Sequence, residues 1–249
     1  MLKTSPKMTT AMTECKNCHN RFEGNYCNYC GQKATIKRFS LANVHVEFFH
    51  GIFHLEKGLI HTLRELSLRP ALMLREYIAG KRVAYIKPFS YLVLICLVGA
   101  FLYPHAGILE HVQANFFATS GTVKFSSEHY LYRMLLTIPV CASLCRIVFR
   151  SCKYNLAEHL IINTYIISQS LLIITVWLLA LCFIKLSDRY FVTFTICIFL
   201  ITIIYPTVVL AHLFNSGRRM VRWIKAAAVV LSGFTLSFVI INILTGFIT

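Results

Sequence analysis

Three long stretches of this chain, 160–184, 190–214 and 226–249, contain no Asp, Glu, Lys or Arg. Each is long enough to cross the roughly 30 Å hydrocarbon layer of a bilayer with some tilt. A fourth uncharged run begins at Pro88 and ends before His105, near the roughly 17-residue minimum for a crossing. A fifth, 130–149, carries Arg133 and Arg146 three residues inside its ends, where long cationic side chains reach back to the headgroups. In hydrocarbon every backbone N–H and C=O must be satisfied within the segment. Runs of this kind therefore fold as helices, and the expected class is an all-α polytopic membrane protein with about five crossings, 88–104, 130–149, 158–184, 190–214 and 226–248. A mean hydropathy of +0.63 with 14% charged residues excludes a single soluble globule of 249 residues.

The formal charge of +15 invites a nucleic-acid reading, because basic patches neutralise phosphates. Its distribution points elsewhere. Of 25 Lys and Arg, 14 precede Pro88, three are Arg146, Arg150 and Lys153, and four are Arg218, Arg219, Arg222 and Lys225. These clusters alternate with poorly charged loops, as the positive-inside rule requires. Nucleic acid is accordingly not an expected partner; the bilayer and its anionic headgroups are, with Arg69, Arg75, Lys81, Arg82 and Lys87 at the inner leaflet. The expected topology has a cytosolic N-terminus, since Met1 to Thr13 lacks the apolar core of a signal peptide, and a C-terminus outside.

Residues 15–31 read CKNCHNRFEGNYCNYCG, two Cys-x-x-Cys turns separated by eight residues. Each turn aims two thiolates at a common point, and two turns complete a tetrahedral set. Cys15, Cys18, Cys27 and Cys30 are the expected ligands of one structural Zn2+, in a compartment that keeps thiols reduced. Iron held as in rubredoxin and a pair of disulfides are the alternatives, and His19 is a substitute ligand if a thiolate is missing. Gly24 is expected to turn a small hairpin over RFEGNY, with Phe22 and Tyr26 covering the site. Four protein ligands leave no open position, so this is a structural centre and not a hydrolytic one.

This pattern, followed by REYIAGKRVAYIKPFSYL and by YNLAEHL, resembles an uncharacterised family of bacterial integral membrane proteins with an N-terminal zinc ribbon. The resemblance implies architecture and a bacterial cytoplasmic membrane, and no activity.

The chain therefore divides into a ribbon at 1–33, a basic amphipathic helical segment on the inner membrane surface at 34–87, and a membrane domain at 88–249. In the middle segment Leu41, Val44, Phe48, Ile52, Leu55, Leu59, Leu63 and Leu66 recur at helical spacing. Glu47, His50, His54, His61 and Glu65 form a second stripe, either a metal or proton site or the solvated face of an interfacial helix. Pro70 opens another helix that Gly80 caps. In the membrane half, Glu158 and His159 enter the third crossing beside Asn163. They are either a proton or cation site, with His212 as a further candidate, or a helix-start box in which Asn155 and Glu158 cap each other. Gly233 and Ser237 offer a close helix contact.

Three functions follow. The first is an adaptor or regulatory membrane protein whose ribbon contacts a cytosolic protein. The second is a small transporter or channel with a polar path near Glu158 and His159, and the third a membrane enzyme using a His50/His54 metal site. No nucleophile motif supports the third, and no catalytic residue is assigned.

Overall fold

The structure, a computed structural model, describes residues 12–41, 58–105, 130–183, 188–215 and 217–246. Among these, two two-residue strands, β1 (Thr13–Glu14) and β2 (Arg21–Phe22), precede seven α-helices: α1 (Leu59–Leu68), α2 (Pro70–Ala79), α3 (Pro88–His105), α4 (Tyr130–Val148), α5 (Leu156–Phe183), α6 (Asp188–Leu213) and α7 (Arg219–Gly246). The starts follow local chemistry. Pro70 and Pro88 stand at first-turn positions that need no amide donor. Gly80 ends α2 in the left-handed conformation at φ 117°, its N–H reaching the Glu76 and Tyr77 carbonyls.

α5 is the central element. It packs against α3, α4 and α6, while α7 packs against α4 and α6. Within its most apolar stretch 67% of residues are buried, against 39% in α6 and 28% in α7, so α5 is the most enclosed of the three and the other two keep exposed apolar faces. Three helices, α5, α6 and α7, contain stretches long and apolar enough to cross a bilayer, and Pro88–Phe101 and Leu135–Val148 are shorter apolar helices.

Several polar residues of α5 bond back onto their own helix. Thr164, Ser168, Ser170 and Thr175 donate to carbonyls four residues back, and Asn163 Nδ2 donates to the His159 carbonyl, the back-bonding such side chains make inside helices. Gln169 reaches other helices, accepting from Tyr91 on α3 and donating to Ser67 on α1. Where α4 meets α7, Thr137 donates to Ser237 at 2.9 Å, and a Cβ on Gly233 would lie 2.3 Å from Cys141 Sγ. Those two contacts run in opposite directions along the two helices, which makes them antiparallel. The small-residue pair Gly233 and Ser237 marks a close helix contact, as its spacing suggests.

The junctions α2–α3, α4–α5 and α6–α7 gather at one end of the bundle. Arg75 of α2 donates to the Leu213 carbonyl at 3.0 Å and to the His212 carbonyl, capping the C-terminus of α6. Phe214 stacks on Phe149 at 4.5 Å and meets Tyr154 and His159 edge-on or tilted. Tyr165 donates to the Ile86 carbonyl and packs edge-on against Tyr77 at 5.2 Å. These aromatic rings join the three junctions into one core.

Candidate metal centre

The ribbon consists of two knuckles built alike. In the first, His19 N–H donates to the Cys15 carbonyl at 2.9 Å; in the second, Gly31 N–H donates to the Cys27 carbonyl at 2.9 Å. The residue after each second cysteine is left-handed, His19 at φ 60° and Gly31 at φ 75°. Gly31 adopts this without a Cβ penalty. His19 does so with its Nδ1 3.0 Å from Glu14 Oε1 and its side chain exposed, so it is not a ligand. Each knuckle is closed by the amide of its first cysteine, Cys15 N–H to the Asn20 carbonyl and Cys27 N–H to the Gln32 carbonyl.

The four sulfurs lie within 4.8 Å of one another, with Cys15 to Cys30 at 3.5 Å and Cys18 to Cys27 at 3.6 Å. A tetrahedral ion with metal–sulfur bonds of about 2.3 Å sets sulfur–sulfur edges of about 3.8 Å, and a disulfide would need about 2.05 Å. The residues fit a metal ion. Asn17 N–H points at Cys15 Sγ from 3.4 Å. Burial raises the Cys27 thiol, but the N–H groups of Cys30 and Tyr29 and the neighbouring thiols outweigh it and bring it down to about 6. Around Cys18, the Asn20 amide favours the thiolate, but burial and the three other cysteines prevail and push it up to about 12. A divalent cation entering four such thiols displaces their protons.

Gly24 takes φ 105°, as a turn there demands. The pairing differs from a hairpin over RFEGNY: β2 pairs with β1, and Tyr26 bridges Lys33. Phe22 covers the sulfurs from inside. Tyr26 does not; it is 61% exposed and Tyr29 81%, because the bridge to Lys33 turns its side chain outward.

The segment from Gln32 to Phe39, by sequence only a short basic connector, is the dock between the ribbon and the helices. Gln32 Oε1 is buried and accepts the backbone N–H groups of Arg82 and Val83 at 3.3 and 3.1 Å. A Cβ on Gly80 would lie 3.0 Å from Lys16 Cδ and 3.2 Å from Ile36 Cδ1, so this glycine also admits the ribbon. Arg82 donates to the Lys37 carbonyl at 3.0 Å and covers the Phe39 ring at 3.6 Å, and Phe39 stacks on Tyr77. Arg38 pairs with Glu158 through two bonds of 2.7 and 2.8 Å and donates to the Lys153 carbonyl at 2.6 Å. The arginine is correspondingly raised above its usual range by that bond and that charge.

Glu158 and His159 thus stand at the dock. Asn155 and Glu158 form the reciprocal helix-start box, each side chain accepting the other's backbone N–H at 2.8 Å. Asn155 Nδ2 adds a bond to the Phe39 carbonyl at 2.7 Å. His159 is buried between Tyr154 and Phe214. His212 is exposed, its Nδ1 2.8 Å from the Val208 carbonyl and its ring edge-on to Trp223.

His61 stacks on Tyr85 at 5.2 Å, and among the described residues it belongs to no cluster of metal-binding side chains. Glu65, expected on the same polar stripe, is buried and bonded to Arg69 at 2.7 Å. Its neighbours Thr62 and Leu66 face the core, Thr62 accepting the Ile86 N–H at 3.0 Å, so this face of α1 looks inward. His50, His54 and Glu47 lie outside the described residues.

Sequence reasoning missed Gln32, Arg38 and Phe39 as dock residues. A readable sign was the apolar Phe39 at the end of a basic run, since an isolated aromatic there has to be covered.

A family model described as "Protein of unknown function (DUF3667)" matches residues 56–99. No curated protein and no solved structure matches the chain. The matched segment takes in α1, α2, the loop that receives Gln32, and most of α3. The dock therefore joins the four-cysteine module to the matched segment.

Proposed function

We propose that the chain is a multi-pass protein of a bacterial cytoplasmic membrane, an adaptor or regulator whose ribbon holds one structural Zn2+ and presents a surface to a cytosolic protein. The observation that carries this reading is the position of the ribbon. It is docked on the pole where the basic junctions 81–87, 146–153 and 218–225 converge, with Tyr26 and Tyr29 exposed on its second knuckle. Cations gathered at one pole belong on the cytosolic side. The five helices α3 to α7 then cross with the N-terminus inside and the C-terminus outside, and the basic pole contacts anionic headgroups. Zinc suits four thiolates in a closed shell, and a closed shell supports architecture, not turnover. Exposed tyrosines on a rigid support are the residue type that anchors protein interfaces.

A photo-crosslinking side chain at Tyr29, introduced into the full chain in its own membrane, tests the reading. One discrete adduct that disappears with Cys27→Ser supports it. A set of adducts unchanged by Cys27→Ser overturns it.

The transporter reading draws on a cavity of about 10 Å³ between α4, α5, α6 and α7, lined in part by Thr137, Asn163 and Ser170. That is room for about one water, and Glu158, bonded to Arg38, is not among the residues that line it. Ion flux in proteoliposomes that changes with Glu158→Gln would favour it over the adaptor.

A further inference from the structure

The eight residues from Gln32 to Phe39 touch both ends of a chain of bonds that starts at the cysteines and ends at α5. At the near end, the Gln32 carbonyl accepts Cys27 N–H at 2.8 Å, so this residue is positioned by the second knuckle. The same residue's side chain closes the amides of Arg82 and Val83. Farther on, Arg82 grips the Lys37 carbonyl and the Phe39 ring, which fixes the backbone on either side of Arg38. At the far end Arg38 supplies the counter-charge for Glu158, whose side chain is 3% exposed, while that of Arg38 is 62% exposed.

We propose that this strap makes metal occupancy of the ribbon and the docking of α5's N-terminus one coupled equilibrium, so that the membrane domain senses whether the four cysteines are loaded. The inference rests on the metal assignment made above and adds its regulatory consequence. Without a bound ion a module this small has almost no core to hold Gln32 in place. Release of Gln32 frees the Arg82 and Val83 amides to exchange with water, and with them the strap that carries Arg38. Glu158 keeps its bond to the Asn155 amide but loses its cation. A carboxylate so deeply buried does not stay unpaired, and the start of α5 rearranges or hydrates. Coupling between two sites is reciprocal. Loosening the far end must therefore weaken metal binding at the near end, although Arg38 touches none of the cysteines.

The full chain, reconstituted in nanodiscs with Zn2+ as the probe, provides the test. Metal content is measured first, then amide exchange of a peptide covering 80–87, with and without a chelator. One Zn2+ per chain, with exchange at Arg82 and Val83 at least tenfold faster after chelation, is the expected result. Arg38→Ala should still bind one Zn2+ but with about fivefold weaker affinity in competition with a chromogenic chelator, within the usual range of such couplings. Arg38→Lys, retaining a charge but not the two-pronged geometry, should fall between. A chain that binds no metal removes the metal assignment and the inference together. A chain that binds metal, with exchange at 82–83 unchanged by chelation and an Arg38→Ala affinity equal to that of the parent, overturns the coupling alone.

Discussion

Arg38 and Glu158, 120 positions apart in the chain, form a two-pronged ion pair, with Nε 2.7 Å from Oε1 and Nη2 2.8 Å from Oε2. The partners are unequal: the arginine side chain lies mostly in solvent and the carboxylate is buried. Arg38 therefore loses little on release, whereas Glu158 is left as a buried charge.

That asymmetry sets the first prediction. Arg38→Ala should lower the unfolding temperature in micelles, and Glu158→Gln in the same background should recover part of the loss, since an amide still accepts the Asn155 N–H. Asn155→Ala should cost about 1 kcal/mol on its own through the lost helix cap. Equal melting of Arg38→Ala and the parent chain would mean that the pair contributes nothing to stability.

Two glycines should respond differently to Ala. A Cβ on Gly58 would meet the Ala84 carbonyl at 2.8 Å and the Ile86 nitrogen at 3.1 Å, both backbone atoms, the second held by its bond to Thr62. The substitution should cost about 2 kcal/mol, with no side-chain change to relieve it. At Gly233 the obstacle is the Cys141 sulfur, so Gly233→Ala should destabilise by about 1–2 kcal/mol and Cys141→Ala should restore most of it. A double-mutant cycle by thermal unfolding measures the coupling; simple additivity would place the two residues out of contact.

Glu76 supplies a pH dependence. Burial raises its carboxyl, but the Tyr85 hydroxyl at 2.6 Å and the Lys81 ammonium at 2.9 Å outweigh it, so it sits below its ordinary 4.5. The folded-state value is depressed, so its contribution is present above pH 4.5 and is lost as the pH falls through the lowered value. Glu76→Gln should flatten stability against pH in that acid window and leave its slope near neutrality alone. A parent and variant with parallel acid limbs would contradict this assignment.

Topology is testable by reporters placed ahead of Cys15 and after Gly246. If the proposed five crossings hold, they should emerge on opposite faces of the membrane, the first in the cytosol. Emergence on one face would require an even number of crossings and detach the basic pole from the inner leaflet.

Much of the architecture was legible because it rests on local, periodic chemistry. Uncharged runs become helices in lipid regardless of their neighbours, and α3 to α7 follow those runs closely. Doubled Cys-x-x-Cys spacing brings four sulfurs together because each turn is closed by its own backbone bond. The capping of α5 by Asn155 and Glu158 spans four residues and needs nothing beyond them. Tyr26 and Glu65 were misplaced for the opposite reason. Which way each side chain faces depends on a bridge to Lys33 in one case and on the packing of α1 against its neighbours in the other.

By itself, then, the sequence determined the membrane-compatible helices, the clustering of cations at alternate junctions and the four-thiol module, because each follows from composition within one short segment. Only the tertiary structure decided that a connector of eight residues is a dock. The bonds from Gln32 to Arg82 and Val83, and from Arg38 to Glu158, join segments 50 to 120 positions apart. No local preference specifies such pairings; they exist because three helix junctions close on one pole and leave a buried carboxylate that requires a cation.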